Sequence, residues 1–173
     1  FRLNKKLMNK INLKNFYLNL VILLIVFVLD RTTKLYILKI AEGETGVDVY
    51  ITSYLNLFLI WNKGIAFGLF SIDANIIYNS ITIIIGLIII TILFMMLKSN
   101  NIQSYFFALV VGGALGNFYD RIVYTAVPDF IDLHFYDFHW FVFNVADIFI
   151  TIGVFCLILV EFFFNNKNTN EKK

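Results

Sequence analysis

Three acidic residues late in the chain could do chemistry together. Asn117-Phe118-Tyr119-Asp120 and Asn144-Val145-Ala146-Asp147 place Asn-x-x-Asp pairs at the ends of long apolar segments, and Asp129 lies in the connection between them. Carboxylates are costly at a bilayer boundary and commonly mark function there. Taken singly, each could cap a helix or pair with Arg121. Taken together, they suggest a pair that activates water. Two carboxyls held close cannot both ionise cheaply, so one keeps its proton while the other serves as general base. Asp129 and Asp147 are the candidates, because the third apolar segment leaves the membrane and the fourth re-enters it after a short connection. Asn117 and Asn144 would orient the carboxyls through amide hydrogen bonds. Asp120 beside Arg121 reads as a supporting ion pair.

The elements that position these residues must be membrane helices. Hydrophobic residues make up 60% of the chain and aromatic residues 18%, with a single proline, which does not describe a water-soluble domain of 173 residues. A span needs about 20 apolar residues, and such runs occur at Phe16–Leu38, Ala74–Leu97, Ile102–Val123 and Phe141–Phe164. The expected fold is a four-transmembrane-helix bundle in one domain, an all-α membrane protein apart from a small sheet. The stretch after Phe27 lacks a small-x-small cleavage site, so the first segment reads as a retained anchor. Met8-Asn9-Lys10 reads as a translation start, which makes the residues before it dispensable.

Lys and Arg stay on the cytoplasmic side of short loops. Lys10 and Lys14 precede the first span, Lys98 lies between the second and third, and Lys167, Lys172 and Lys173 follow the last. Both termini are therefore expected in the cytoplasm. The opposite face receives two segments, from about Lys39 to Asp73 and from Tyr124 to Trp140, which carry Glu42, Glu44, Asp48, Asp129, Asp132 and Asp137. The net charge of +2 thus conceals a basic inside and an acidic outside, with no basic aromatic patch for nucleic acid.

In the first exported segment, Val47, Val49 and Ile51 alternate with polar residues and Leu55, Leu57 and Leu59 continue at period two, predicting paired strands. Trp61-Asn62-Lys63-Gly64 then makes a turn, and Ile65 to Phe70 is apolar enough to lie in the membrane interface. On the third helix Ala108, Gly112, Gly116 and Asp120 line one face, allowing close approach of another helix. Asp30 and Lys34 are spaced for an i,i+4 ion pair. Cys156, mid-span, reads as a buried apolar residue. His134 and His139 lie near Asp132 and Asp137 in the second exported segment, but aromatic neighbours place them at the headgroup level, and no metal is expected there.

The ordered motifs resemble the lipoprotein signal peptidases, or signal peptidase II, which are bacterial membrane aspartyl proteases. The resemblance rests on Asp30-Arg31-Thr32-Thr33-Lys34, Asn62-Lys63-Gly64-Ile65-Ala66-Phe67-Gly68, Gly112 to Arg121, Val127 to Asp132, and Phe143-Asn144-Val145-Ala146-Asp147, and it covers nearly the whole chain. It implies Asp129 and Asp147 as the catalytic dyad. Asn62, Gly64, Asn117, Asp120, Arg121 and Asn144 would bind substrate or support the site, with Asp30 and Lys34 more peripheral. It implies prolipoprotein substrates carrying a diacylglyceryl-cysteine, clamped over the bundle by the sheet and a short interfacial amphipathic helix and cut just before that cysteine, in contact with membrane lipid, by a monomer that needs no cofactor. Ile65 stands where a small residue is usual, and Pro128 where Val is usual. Two other classes compete. A proton-conducting transporter would need acidic stations at mid-membrane depth, and the acidic residues instead fall towards the outer side. A helix-packing assembly factor would have no use for Asp129 and Asp147 together.

Overall fold

In the computed structural model the chain is described over residues 13–43, 47–64, 74–99, 102–136 and 138–170. Helices α1 (Leu13–Gly43), α2 (Ala74–Lys98), α3 (Gln103–Tyr124) and α4 (Val145–Asn170) form the bundle, and each contains a stretch long and apolar enough to cross a membrane. Strands β1 (Asp48–Thr52), β2 (Leu55–Asn62), β3 (Val127–Phe135) and β4 (Phe138–Phe143) form one antiparallel sheet in the order β1-β2-β3-β4.

The bundle is organised around α3, which packs on α1, α2 and α4. Three of its glycines are the points of contact. A Cβ on Gly112 would lie 2.8 Å from the Leu23 carbonyl oxygen of α1, and one on Gly113 would lie 2.6 Å from the Ala146 carbonyl oxygen of α4. At Gly116 the added atom would run into the Asp30 carboxylate. Small residues thus let three backbones approach where side chains would hold them apart. Between α1, α2 and α3, Leu23, Ile89 and Val111 form a buried cluster with Ile85, Leu93 and Phe118 against it. The outward faces stay apolar: Ile83, Leu87 and Ile90 of α2 are exposed, as are Ile25, Val28 and Leu29 of α1. Acyl chains are the natural solvent for such surfaces.

The sheet sits on the α1 end that follows Lys34. Ile37 of α1 is buried with Val47 and Phe130, and Leu57, Leu59, Ile131 and Val145 pack around them. Here the architecture is richer than the sequence predicts. The two strands expected from the first exported segment are present, but two more come from the second, so β2 pairs with β3 and the two segments close into one sheet. Consequently α4 begins at Val145 rather than Phe141, and the fold is all-helical only in its spanning part. β3 escapes a period-two reading because Val127 to Phe130 are buried on both faces. The interfacial helix expected over Ile65 to Phe70 lies outside the described residues.

Candidate active site

β3 emerges from α3 through Thr125, whose left-handed backbone (φ 54°) ends the helix. Four residues later Asp129 is buried on the sheet, opposite Ile60 of β2. Asp147 stands in the first turn of α4. Asn144, the residue just before α4, binds both. Its Nδ2 donates to Asp129 Oδ1, its backbone N–H donates to Asp147 Oδ2 at 3.1 Å, and its Oδ1 accepts from the Asp147 N–H at 3.2 Å. The last two contacts form a reciprocal capping box, built here from Asn and Asp.

The remaining carboxyl oxygens are held from other elements. Asn62 Nδ2, at the end of β2, donates to Asp129 Oδ2 at 2.9 Å, and Asn117 Nδ2 of α3 donates to Asp147 Oδ1 at 2.8 Å. Among the described residues each of the four oxygens therefore has one donor. Asn62 is itself fixed by the Gly64 N–H, which donates to Asn62 Oδ1 at 2.7 Å. Gly64 adopts φ +70°, and a Cβ there would lie 3.1 Å from the Arg121 guanidinium. Only glycine meets both conditions without strain.

Burial pushes the Asp129 carboxyl up from the ordinary 3.8 to about 6, and the nearby Asp147 charge adds to the rise. The hydrogen bonds from Asn62 and Asn144 pull the other way without cancelling it. A carboxyl so placed exchanges its proton near neutral pH, as acid–base catalysis requires.

Behind Asp147 lies a closed charge cluster. Lys34 Nζ, fully buried, donates to Asp30 Oδ2 at 2.9 Å, to Asp120 Oδ2 at 2.7 Å and to Asn117 Oδ1 at 2.7 Å. Arg31 makes ion contact with Asp120 Oδ1 at 2.6 Å, off the line of a good hydrogen bond. Two acids and two bases balance, which makes the burial tolerable. Asp30 Oδ1 also accepts from the Ala146 N–H at 3.1 Å, so the cluster grips the first turn of α4 directly.

An apolar groove of about 450 Å³ opens beside Asp147. Phe143, Phe141 and Trp140 of β4 form one wall and Ile148, Thr151 and Ile152 of α4 the other.

The family model for signal peptidase (SPase) II matches residues 22–163. The chain belongs to the signal peptidase II family. A lipoprotein signal peptidase of Pelagibacter ubique is 85% identical over 95% of this chain and 99% of its own length. That of Anaplasma phagocytophilum is 40% identical over 83% of this chain and 91% of its own. Two solved bacterial membrane enzymes, each 31% identical, superpose with TM-scores of 0.65 and 0.68, covering 90% and 82% of this chain and 91% and 90% of theirs. As a signal peptidase II, the chain is an aspartic peptidase of bacterial membranes that removes signal peptides from prolipoproteins.

Of the residues the sequence singles out in this signal peptidase II, Asp129, Asp147, Asn62, Asn117 and Asn144 come together in one hydrogen-bonded set. Asp30 and Lys34 are not peripheral: both are fully buried directly behind that set. Asp120 does not pair with Arg121. Neighbours on a helix point about 100° apart, and Asp120 turns to Lys34 and Arg31 while Arg121 reaches Gly64 and lies 5.8 Å from the Tyr78 ring centroid. Arg31 is the residue sequence reasoning missed. Its position one residue after Asp30 was the available signal, but its partner lies on another helix.

Proposed function

We propose that Asp129 and Asp147 are the catalytic dyad of this peptidase and that it cuts just before a diacylglyceryl-modified cysteine. The observation that carries the assignment is Asn144, which holds both carboxyls at once, Asp129 through its side-chain amide and Asp147 through its backbone N–H. In the reaction, one carboxylate takes a proton from water, and the water oxygen attacks the scissile carbonyl. The protonated partner donates to the carbonyl oxygen, giving a neutral diol. Collapse returns a hydroxyl proton to one aspartate while the other protonates the departing amine, which regenerates a singly protonated pair. The shared proton belongs to the pair, not to either residue. Asn62, Asn117 and Asn144 hold the two carboxyls in register, Lys34 holds Asn117, and the Gly64 N–H fixes the turn that carries Asn62.

The groove beside Asp147 supports lipid recognition, because its walls are aromatic and aliphatic where a peptide-only site would need polar partners. Acyl chains partition at roughly 0.8 kcal/mol per buried methylene, so the lipid anchors the substrate and the sheet need only register the peptide. With matched detergent conditions, a precursor whose lipobox cysteine is replaced by serine should be cleaved at least about tenfold more slowly than the lipidated one, since two buried methylenes already suffice. Equal rates would remove the lipid from the assignment.

The distribution of basic residues supports an orientation with both termini in the cytoplasm and the sheet and dyad outside. In a Cys156→Ser background, cysteines at Ser53 and Tyr136 should react with an impermeant thiol reagent added to spheroplasts, and a cysteine at Lys98 should not. The reverse labelling would put the dyad on the cytoplasmic side.

A further inference from the structure

The β3–β4 hairpin carries a polar cluster that the dyad does not use. Its register sets His134 opposite His139, so the two side chains leave the sheet on one face. Their rings stack with centroids 5.1 Å apart. Asp132, buried at 4% exposure, completes the group: its Oδ2 lies 2.8 Å from His139 Nδ1 and 3.7 Å from His134 Nδ1. The donor atoms of all three residues lie within 4.8 Å of one another. Among the described residues, Asp132 Oδ1 and His134 Nδ1 are buried without a hydrogen-bond partner. A buried polar atom is costly to leave without a partner, so each invites a bound group.

We propose that Asp132, His134 and His139 form a binding site for a divalent transition-metal ion of the zinc type, separate from the catalytic dyad. Two imidazole nitrogens and one carboxylate oxygen are donors that Zn²⁺ accepts, leaving a fourth position for water. Tetrahedral bonds of about 2.0–2.2 Å place donor atoms about 3.4 Å apart. The present separations from Asp132 Oδ2, 2.8 Å to His139 Nδ1 and 3.7 Å to His134 Nδ1, lie on either side of that value, and the 57% exposed His139 side chain has room to adjust. The sequence places these histidines at the headgroup level near Asp132, and the hairpin brings both to that one buried carboxylate. An ion there would tie β3 to β4 beside the groove that His134 shares with Asp147.

Protein freed of any polyhistidine tag and purified in detergent should take up one Zn²⁺ per chain by calorimetry. Co²⁺ should give d–d absorption without a thiolate charge-transfer band. Each of Asp132→Asn, His134→Gln and His139→Gln should weaken Zn²⁺ binding at least about tenfold, and Cys156→Ser should leave it unchanged. Zn²⁺ should raise the melting temperature of the wild type and not that of His139→Gln, a change at an exposed side chain that leaves the core intact. Absence of saturable uptake by the wild type, or wild-type affinity in folded His139→Gln, would overturn the site.

Discussion

Asp129→Asn and Asp147→Asn should each lower cleavage of a lipidated prolipoprotein by about 10⁴-fold or more, with the double variant little worse than either single one, as expected of groups that act as a unit. The amide keeps the shape of the carboxyl but can neither take the water proton nor supply one to the carbonyl. Both variants should remain folded, because the amide keeps one of the two oxygens that accept hydrogen bonds at each position and fills the same volume. For Asp129→Asn the sign is worked out from the raised carboxyl. A group whose folded value lies above its unfolded one favours the fold in its protonated form, and that contribution fades as pH rises from 3.8 to about 6. The variant should therefore lose part of the wild type's decline in melting temperature over that range. Wild-type kcat/KM should fall once pH rises far enough to strip the shared proton from the pair. Residual cleavage near the wild-type rate in either variant would remove that residue from the dyad.

Lys34→Met is expected to destabilise the protein by about 3–5 kcal/mol, the usual cost of leaving a buried charge without its partner. Lys34 is fully buried and gives all three of its protons to Asp30, Asp120 and Asn117. Without it, two carboxylates face each other with Arg31 alone to balance them. The loss should reach catalysis as well, because Asn117 is released from the position in which it holds Asp147. Adding Asp30→Asn to Lys34→Met should recover part of the stability by restoring neutrality, which a mere packing defect would not do. Melting curves in detergent that place Lys34→Met within about 0.5 kcal/mol of the wild type, the range of ordinary surface changes, would show that the cluster is not the structural keystone described here.

Much of this was legible in the sequence, and the failures share a physical origin. Hydropathy located all four helices because a bilayer admits few alternatives. Asp129, Asp147 and the three asparagines stand out by motif order, and the structure brings them into one hydrogen-bonded set. Sequence adjacency misled at Asp120 and Arg121, which a helix points in different directions. It also hid Arg31, whose partner is brought near only by the closeness of α1 and α3 at Gly116. Half of the sheet was missed because β3 is buried on both faces and β4 is a run of aromatics, so neither alternates and Phe138 to Phe143 resembled the start of a membrane helix.

The neutrality of the buried cluster also bears on biosynthesis. α1 brings Asp30, Arg31 and Lys34, one net positive charge, and α3 brings the single compensating carboxylate of Asp120. When the ribosome has delivered only the first span, that charge has no counter-ion at its own depth. α2 cannot supply one, since its residues from Ala74 to Leu97 contain no ionisable acid. The first helix must therefore wait at the translocon or lean its arginine and lysine towards the headgroups until the third arrives. Burial of Asp30, Arg31 and Lys34 as a neutral set thus waits on the emergence of one aspartate.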